Sequence, residues 1–335
     1  MVEDWVLPPG ERDLVSVIIP CRNGERFLPA TLESVFEQQY RPIEIILIDD
    51  GSSDGSRRIM EEYAGRQGGG ITVRCLHQEK LGVHSARNRG TMHSRGEFLQ
   101  FLDSDDLLRP DKLLEQAGEL KSHRGSDVVY GEGQYLICIG PGEERAGRVI
   151  GLGASTDIIV SFVSGEWLPP FCYLSRRLAV QKCGPWDEAT PYAEDFEYFI
   201  RMAINGARFL HKGGLNGYYR KHSFATVSER DPLEHLRAYR AILLKVEKSL
   251  RNKGELSGPR ARGLAESHRR VARSVYALDS DCFTASLDDV LRLCPGFLPT
   301  KHKARAASRL MGFRNYERLA AFVSGFRQRP GADWT

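Results

Sequence analysis

The chain has 335 residues, of which 41% are hydrophobic and 27% charged, so it can bury a sizeable core and global disorder is excluded. No run approaches ~18 uninterrupted apolar residues, which excludes a membrane-spanning helix. The start (Glu3, Asp4, Pro8, Pro9) lacks a basic-then-apolar leader, so no secretory signal is expected. Seven scattered cysteines without a C-x-x-C pair argue against a disulfide framework or a zinc ribbon and suit a reducing, cytoplasmic setting.

The first hundred residues alternate in type. Val15 to Pro20 is a short β-branched run ended by proline, a buried strand. Phe27 to Gln39 places Leu28, Leu32, Val35 and Phe36 on one helical face. Ile43 to Ile48 is a second buried strand, stopped by Asp49-Asp50-Gly51. A helix from about Ser56 turns Ile59, Met60 and Tyr63 inward and breaks at Gly68-Gly69-Gly70. Ile71 to Leu76 reads as a third strand, Val83 to Arg95 as a helix, and Glu97 to Leu102 as a fourth strand. This alternation with short links predicts an α/β fold with a mostly parallel sheet flanked by helices. Such sheets take ligands at the carboxyl ends of their strands, here just after Ile19, Ile48 and Leu102.

Pro110 suits the first turn of a helix carrying Leu113, Leu114, Ala117 and Leu120. From Tyr130 to about Ala154 the chain is glycine-rich and reads as looser. A further helix runs from near Ala193 to Asn205-Gly206, with Phe196, Phe199, Ile200 and Ala203 inward. From about Pro232 the composition turns all-helical. Residues 266–300 resemble a single tetratricopeptide-like helix pair, through Ala277, Ala285, Leu291 and Pro295.

Three segments fall at the ligand edge. Asp103-Ser104-Asp105-Asp106 gathers three carboxylates after a buried strand, and a hard divalent cation such as Mn²⁺ or Mg²⁺ would offset their repulsion. Asp106 alone serves equally as a helix cap. Asp49-Asp50 ends the second strand, where a carboxylate can accept a bond from a base N–H or from ribose hydroxyls. Pro20-Cys21-Arg22-Asn23-Gly24-Glu25 makes a tight turn after the first strand. It is neither a G-x-x-x-x-G-K-[ST] loop nor a G-x-G-x-x-G fingerprint, which disfavours P-loop triphosphatases and dinucleotide enzymes.

Together these segments resemble the family 2 glycosyltransferases, which have the GT-A fold. The resemblance is carried by Val15 to Ser56, by KLGVHSARNRG (Lys80 to Gly90) and by GEFLQFLDSDDLLRPDKL (Gly96 to Leu113). It is firm over about residues 14–125, looser to about 225, and does not reach the helical tail. It implies a catalytic domain over 14–230 with nucleotide and acceptor halves meeting at 125/126, after a tail over 1–13; composition and charge make 231–335 a basic helical tail. It further implies an inverting, metal-dependent transfer from a nucleotide-diphosphate donor, most simply a UDP-sugar. The transferred unit would be a hexose or N-acetylhexosamine, and the acceptor a polysaccharide or glycolipid hydroxyl.

The resemblance also assigns roles. Pro20, Arg22 and Glu25 would hold the nucleoside, Asp50 the base and Asp103 the ribose, with Arg87 beside the donor. Asp105 would bind Mn²⁺ or Mg²⁺, and His222 would reach the metal or the diphosphate. Asp195, in the pair Glu194-Asp195 that opens a helix, would be the catalytic base. An inverting displacement needs only one such base, to take the acceptor hydroxyl's proton. Trp186 would stack on a sugar or pack as core, and Phe171-Cys172-Tyr173 has no assigned role.

Charge is unevenly spread: residues 1–230 carry a balance of −6 and residues 231–335 one of +9. Lys301, Lys303, Arg305, Arg309, Arg314, Arg318, Arg327 and Arg329 face only Glu317 before Asp333. Leu310, Met311, Phe313, Leu319, Phe322 and Phe326 are interleaved with them. Such a segment can lie on the inner face of an anionic membrane or pack as a solvated helix; without a recognised module, nucleic acid is not expected as a partner. The competing class is a non-catalytic nucleotide-sugar-binding or assembly module acting through the helical tail, for which Asp103, Asp105 and Asp195 would be superfluous.

Overall fold

The expected buried runs form one half of a large sheet. The computed structural model describes residues 5–140, 142–153, 155–222 and 231–325. Glu3, Asp4, Phe326, Arg327, Arg329 and Asp333 lie outside them. The chain divides into two units. The first comprises Met1–Ala154, Trp167–Thr190 and Glu194–Phe224; the second comprises Ser155–Glu166, Pro191–Ala193 and Ala225–Thr335.

In the first unit the strands are β1 (Glu11–Cys21), β2 (Ile43–Asp50), β3 (Ile71–Gln78), β4 (Gly96–Phe101), β5 (Leu107–Leu108), β6 (Val128–Gly140), β7 (Glu143–Ile150), β8 (Tyr173–Arg176) and β9 (Phe209–Lys221). Their order is β3-β2-β1-β4-β8-β6-β9-β5, with β7 on β6. The half β3-β2-β1-β4 is wholly parallel. Beyond it the sheet is mixed: β8 runs antiparallel to β4 and β6, while β6 and β9 are parallel. The α/β expectation therefore holds, with the continuous parallel block in the first half and β6–β9 a further parallel pair in the mixed second half.

The helices of this unit are α1 (Leu28–Phe36), α2 (Ser56–Ala64), α3 (Val83–His93) and α4 (Lys112–Ser122), then α6 (Arg177–Cys183) and α7 (Glu194–Ile204) after α5 of the second unit (Ile158–Val163). Val15, Val17, Ile18, Ile19, Ile45, Ile46, Leu47 and Ile48 are fully or almost fully buried. Each such side chain contributes about 1.5–3 kcal/mol. Helix α3 sits unusually close to this layer at Gly90, where a Cβ would come within 2.5 Å of Ile18 and 2.7 Å of Ile48. That approach fixes the depth of α3 and of the residues it carries.

The glycine-rich stretch after Tyr130 is not loose. It forms the long strand β6 and the hairpin to β7. Its glycines serve close contact: a Cβ at Gly131 would lie 2.6 Å from the Lys212 carbonyl, and one at Gly217 of β9 would lie 2.2 Å from that of Leu107.

The second unit holds α5 and the helices α8 (Pro232–Asn252), α9 (Gly258–Val275), α10 (Ser280–Leu293), α11 (His302–Met311) and α12 (Phe313–Gly325). Asp231 caps α8, Ser257 caps α9 and Asp279 caps α10, each accepting backbone N–H bonds of the first turn. Leu243, Leu250, Leu264, Val271, Leu287 and Val290 form its core. Asp289 accepts from Arg240 at 2.5 Å and Arg292 at 2.9 Å, with the fully buried His268 at 3.7 Å. Among the described residues no helix is long and apolar enough to cross a membrane.

Candidate active site

The carboxyl ends of β1, β2 and β4 carry the three motifs, and α3 and α7 add side chains to the same edge. Arg87, at the middle of α3, is 1% exposed. Its guanidinium donates to Asp103 at 2.7 Å and to Asp195 at 3.1 Å, and lies 3.8 Å from Glu194. It also sits 4.3 Å over the ring of Trp186, which stacks on Tyr198 at 3.9 Å. One buried cation thus joins the first aspartate of the D-S-D segment to the acid pair opening α7.

Trp186 packs as core, and Asn88 holds its backbone in place. The Asn88 side chain accepts from the Trp186 N–H at 2.8 Å and donates to its carbonyl at 3.0 Å. Next to Glu194, Ala193 adopts a left-handed backbone with φ 56°. A non-glycine residue there carries strain of about 1–3 kcal/mol, the kind of strain that clusters where functional side chains must be aimed.

Asp105 points to the other side of the cluster. Its Oδ2 lies 3.1 Å from His222 Nε2, and the His222 ring stacks on Phe27 at 4.8 Å. Arg220 fixes the turn between them: its N–H donates to Asp106 Oδ1 at 2.9 Å, and its guanidinium donates to the Asp105 carbonyl at 2.7 Å and to Glu144 at 2.7 Å. Asp106 is 1% exposed and its Oδ2 has no hydrogen-bond partner among the described residues.

These contacts set the protonation chemistry. Burial raises Asp195 well above the usual carboxylate value; Arg87 opposes the rise, and Glu194 and Asp103 add to it. Asp103 is raised by burial, against Arg87 and with Asp105. Asp106 is raised well above the ordinary value by burial and by the charges of Asp105 and Asp103. His84, one turn before Arg87, is lowered by burial despite the nearby Glu194.

Among the described residues no group of three or more His, Cys, Asp or Glu side chains could by itself enclose a metal ion. The pair Asp105–His222 nevertheless fits a hard cation that draws its remaining ligands from water and phosphate oxygens. The buried, unpaired Asp106 Oδ2 beside it adds a negative edge.

The nucleoside-side residues are more dispersed. Asp50 is 4% exposed and already engaged: its carboxylate accepts from Gln78 at 2.8 Å, the Leu81 N–H at 2.8 Å and the Gly82 N–H at 3.0 Å. It therefore shapes the loop entering α3, and no contact joins it to Asp103, Asp105 or Asp195. Glu25 accepts from the Gly55 N–H at 2.9 Å, at the start of α2. Pro20 is buried at the end of β1, and Arg22 is exposed on the turn that follows. The Arg87 bridge and the Phe27 platform under His222 were not expected from sequence. Both pair residues far apart in the chain, and the family resemblance marks Arg87 only as lying beside the donor.

Residues 16–141 match glycosyl transferase family 2. The uncharacterized glycosyltransferase EpsJ of Bacillus subtilis is 42% identical over 192 residues, covering 54% of each chain. The uncharacterized glycosyltransferase RP339 of Rickettsia prowazekii is 28% identical over 197 residues, covering 56% of this chain and 58% of the relative. The chain thus spans little more than half the length of these relatives. Among solved structures, Staphylococcus aureus TarS 1–349 in complex with UDP-GlcNAc superposes with a TM-score of 0.63 at 18% identity, over 96% of this chain and 94% of that one. The mannosyltransferase PcManGT of Pyrobaculum calidifontis, in complex with GDP-Man and Mn²⁺, gives 0.54 at 16% identity over 96% and 90%. At these identities the likeness is one of fold.

Proposed function

We propose that this chain, whose residues 16–141 match glycosyl transferase family 2 and whose fold is of the GT-A type, is an inverting glycosyltransferase using a nucleotide-diphosphate sugar. UDP-linked hexose or N-acetylhexosamine is the favoured donor, and a polysaccharide or glycolipid hydroxyl the acceptor. The observation that carries the reading is the Arg87 bridge, which holds Asp103 and Asp195 around one guanidinium.

In this reading Asp195 takes the acceptor hydroxyl's proton as the oxygen attacks the anomeric carbon, and the sugar–phosphate bond breaks on the opposite face. A base with a raised pKa is matched to that step near neutral pH. Arg87 fixes the direction of the Asp195 carboxylate and keeps its charge balanced. Asp103 faces the donor ribose, while Pro20, Arg22 and Glu25 border the nucleoside. Asp50 acts on the base side by shaping the loop of Leu81 and Gly82. Asp105 and His222 would hold Mn²⁺ or Mg²⁺, which when bound neutralises charge on the departing diphosphate. The Mn²⁺ in the PcManGT complex and the UDP-GlcNAc in the TarS complex support cation and donor class. A glycolipid acceptor would put the reaction at a membrane surface, on its cytoplasmic side.

Incubating the purified chain and Mn²⁺ with UDP-, GDP- and dTDP-sugars tests the proposal. Donor turnover that is lost in Asp195→Asn supports it. Absence of hydrolysis, transfer and nucleotide binding across the panel would remove it.

A further inference from the structure

Helices α11 and α12 invert the usual apolar pattern. On α12 the inward positions are Glu317 and Ala321, both at most 3% exposed. Phe313 packs on the buried Phe297, but three other large apolar residues face out: Leu319 is 49% exposed, Phe322 51% and Val323 45%. Leu310, at the end of α11, is 89% exposed beside Met311. The spacing 315, 318, 319, 322 and 323 puts Arg318 on the same side of α12 as these apolar groups.

The exposed charge on these helices has one sign. Glu317 is the only acid between residues 301 and 325. It is fully buried and answered by Arg273 at 2.6 Å and Arg269 at 3.6 Å. Arg314 pairs with Asp288. Among the described residues Lys301, Lys303, Arg309 and Arg318 make no ion pair. The exposed face of the pair therefore combines cations with bulky apolar side chains and carries no acid.

We propose that this face docks on an anionic lipid bilayer. Leucine, phenylalanine and valine would enter the headgroup–acyl boundary while the cations meet lipid phosphates. A second copy of the chain fits less well, because a two-fold contact would set like charges against each other. Nucleic acid would leave Leu310, Leu319 and Val323 without a role. The surface goes beyond the proposed transfer reaction and does not depend on it.

The test is co-sedimentation of the full chain with vesicles of phosphatidylcholine alone and of phosphatidylcholine mixed with phosphatidylglycerol. Binding is expected only to the mixed vesicles, and added salt should weaken it. Arg309→Ala with Arg318→Ala should reduce affinity about thirtyfold, and Leu310→Asp with Leu319→Asp at least as much. All four side chains are exposed, so an unchanged circular dichroism spectrum is expected and shows that the fold survives. Lack of binding to either vesicle, equal binding to both, or binding unaffected by these substitutions would overturn the proposal. So would self-association through Leu319 in place of lipid binding. Donor hydrolysis in free solution, measured on the same variants, should stay at the wild-type rate, which separates this surface from the transfer chemistry.

Discussion

Arg87 and Asp195, separated by 108 positions in the chain, form a 3.1 Å ion pair that brings the acid pair of α7 to the helix beside the D-S-D segment. Removing a buried cation leaves its carboxylates uncompensated, at a cost of about 3–5 kcal/mol. Arg87→Ala should therefore lower stability by that amount in denaturant titration. Arg87→Lys keeps the charge but cannot serve Asp103 and Asp195 in two directions. It should fold better than the alanine variant yet lose about a hundredfold in turnover through misplaced groups.

Asp195→Asn should reduce kcat by roughly 10²–10⁴, the usual worth of a positioned base, with little change in UDP affinity. The base acts only when ionised. Because burial, Glu194 and Asp103 raise it, the rate should climb with pH through a value above the ordinary ~3.9. Glu194→Gln removes one of those charges. The acid limb of kcat should then move to lower pH, which a pH–rate profile of the two proteins would show.

Asp106 provides a stability counterpart. Its folded pKa is raised, so its favourable contribution is present below the unfolded value of ~3.9 and is lost as pH rises through the folded value. Asp106→Asn keeps the acceptor for the Arg220 N–H. Its stability relative to wild type should accordingly increase with pH. Mn²⁺ should raise the Tm of the wild-type chain, more at mildly alkaline than at mildly acidic pH. Asp105→Asn and His222→Ala should each diminish that rise, which a thermal-shift series would detect.

The helical unit should respond to acid in the opposite sense. Burial pushes His268 down to about 4, against the pull of Asp289. A depressed histidine contributes stability above its unfolded value of ~6.5, and that contribution fades as pH falls toward 4. The loss should be roughly 3 kcal/mol. Helix melting followed by circular dichroism should show it in wild type and not in His268→Gln.

The parallel half of the sheet was legible because each strand is a short, nearly continuous apolar run bounded by turn residues. Val15 to Pro20 and Ile43 to Ile48 lie inside β1 and β2. β6 and β9 were missed because Gly131, Gly133 and Gly217 look like loop composition, whereas they permit backbones to touch. Asp103 and Asp105 stood out by their position after a strand, and Asp195 only through the family resemblance. The contacts of Arg220, the Phe27 platform and the partners of Arg87 were not legible, since pairings across the fold leave no local periodicity. Asp50 stood out by its strand-end position, but its bonds to Gln78 and to the Leu81 and Gly82 N–H groups left no trace in the sequence.

A crystal structure with UDP and Mn²⁺ bears most directly on the convergence of these aspartates around one donor. The expected result is a cation touching Asp105 and His222, the ribose against Asp103, and Asp195 open toward the acceptor side of the diphosphate. Nucleotide bound away from Arg87, or a cation held without Asp105, would contradict it.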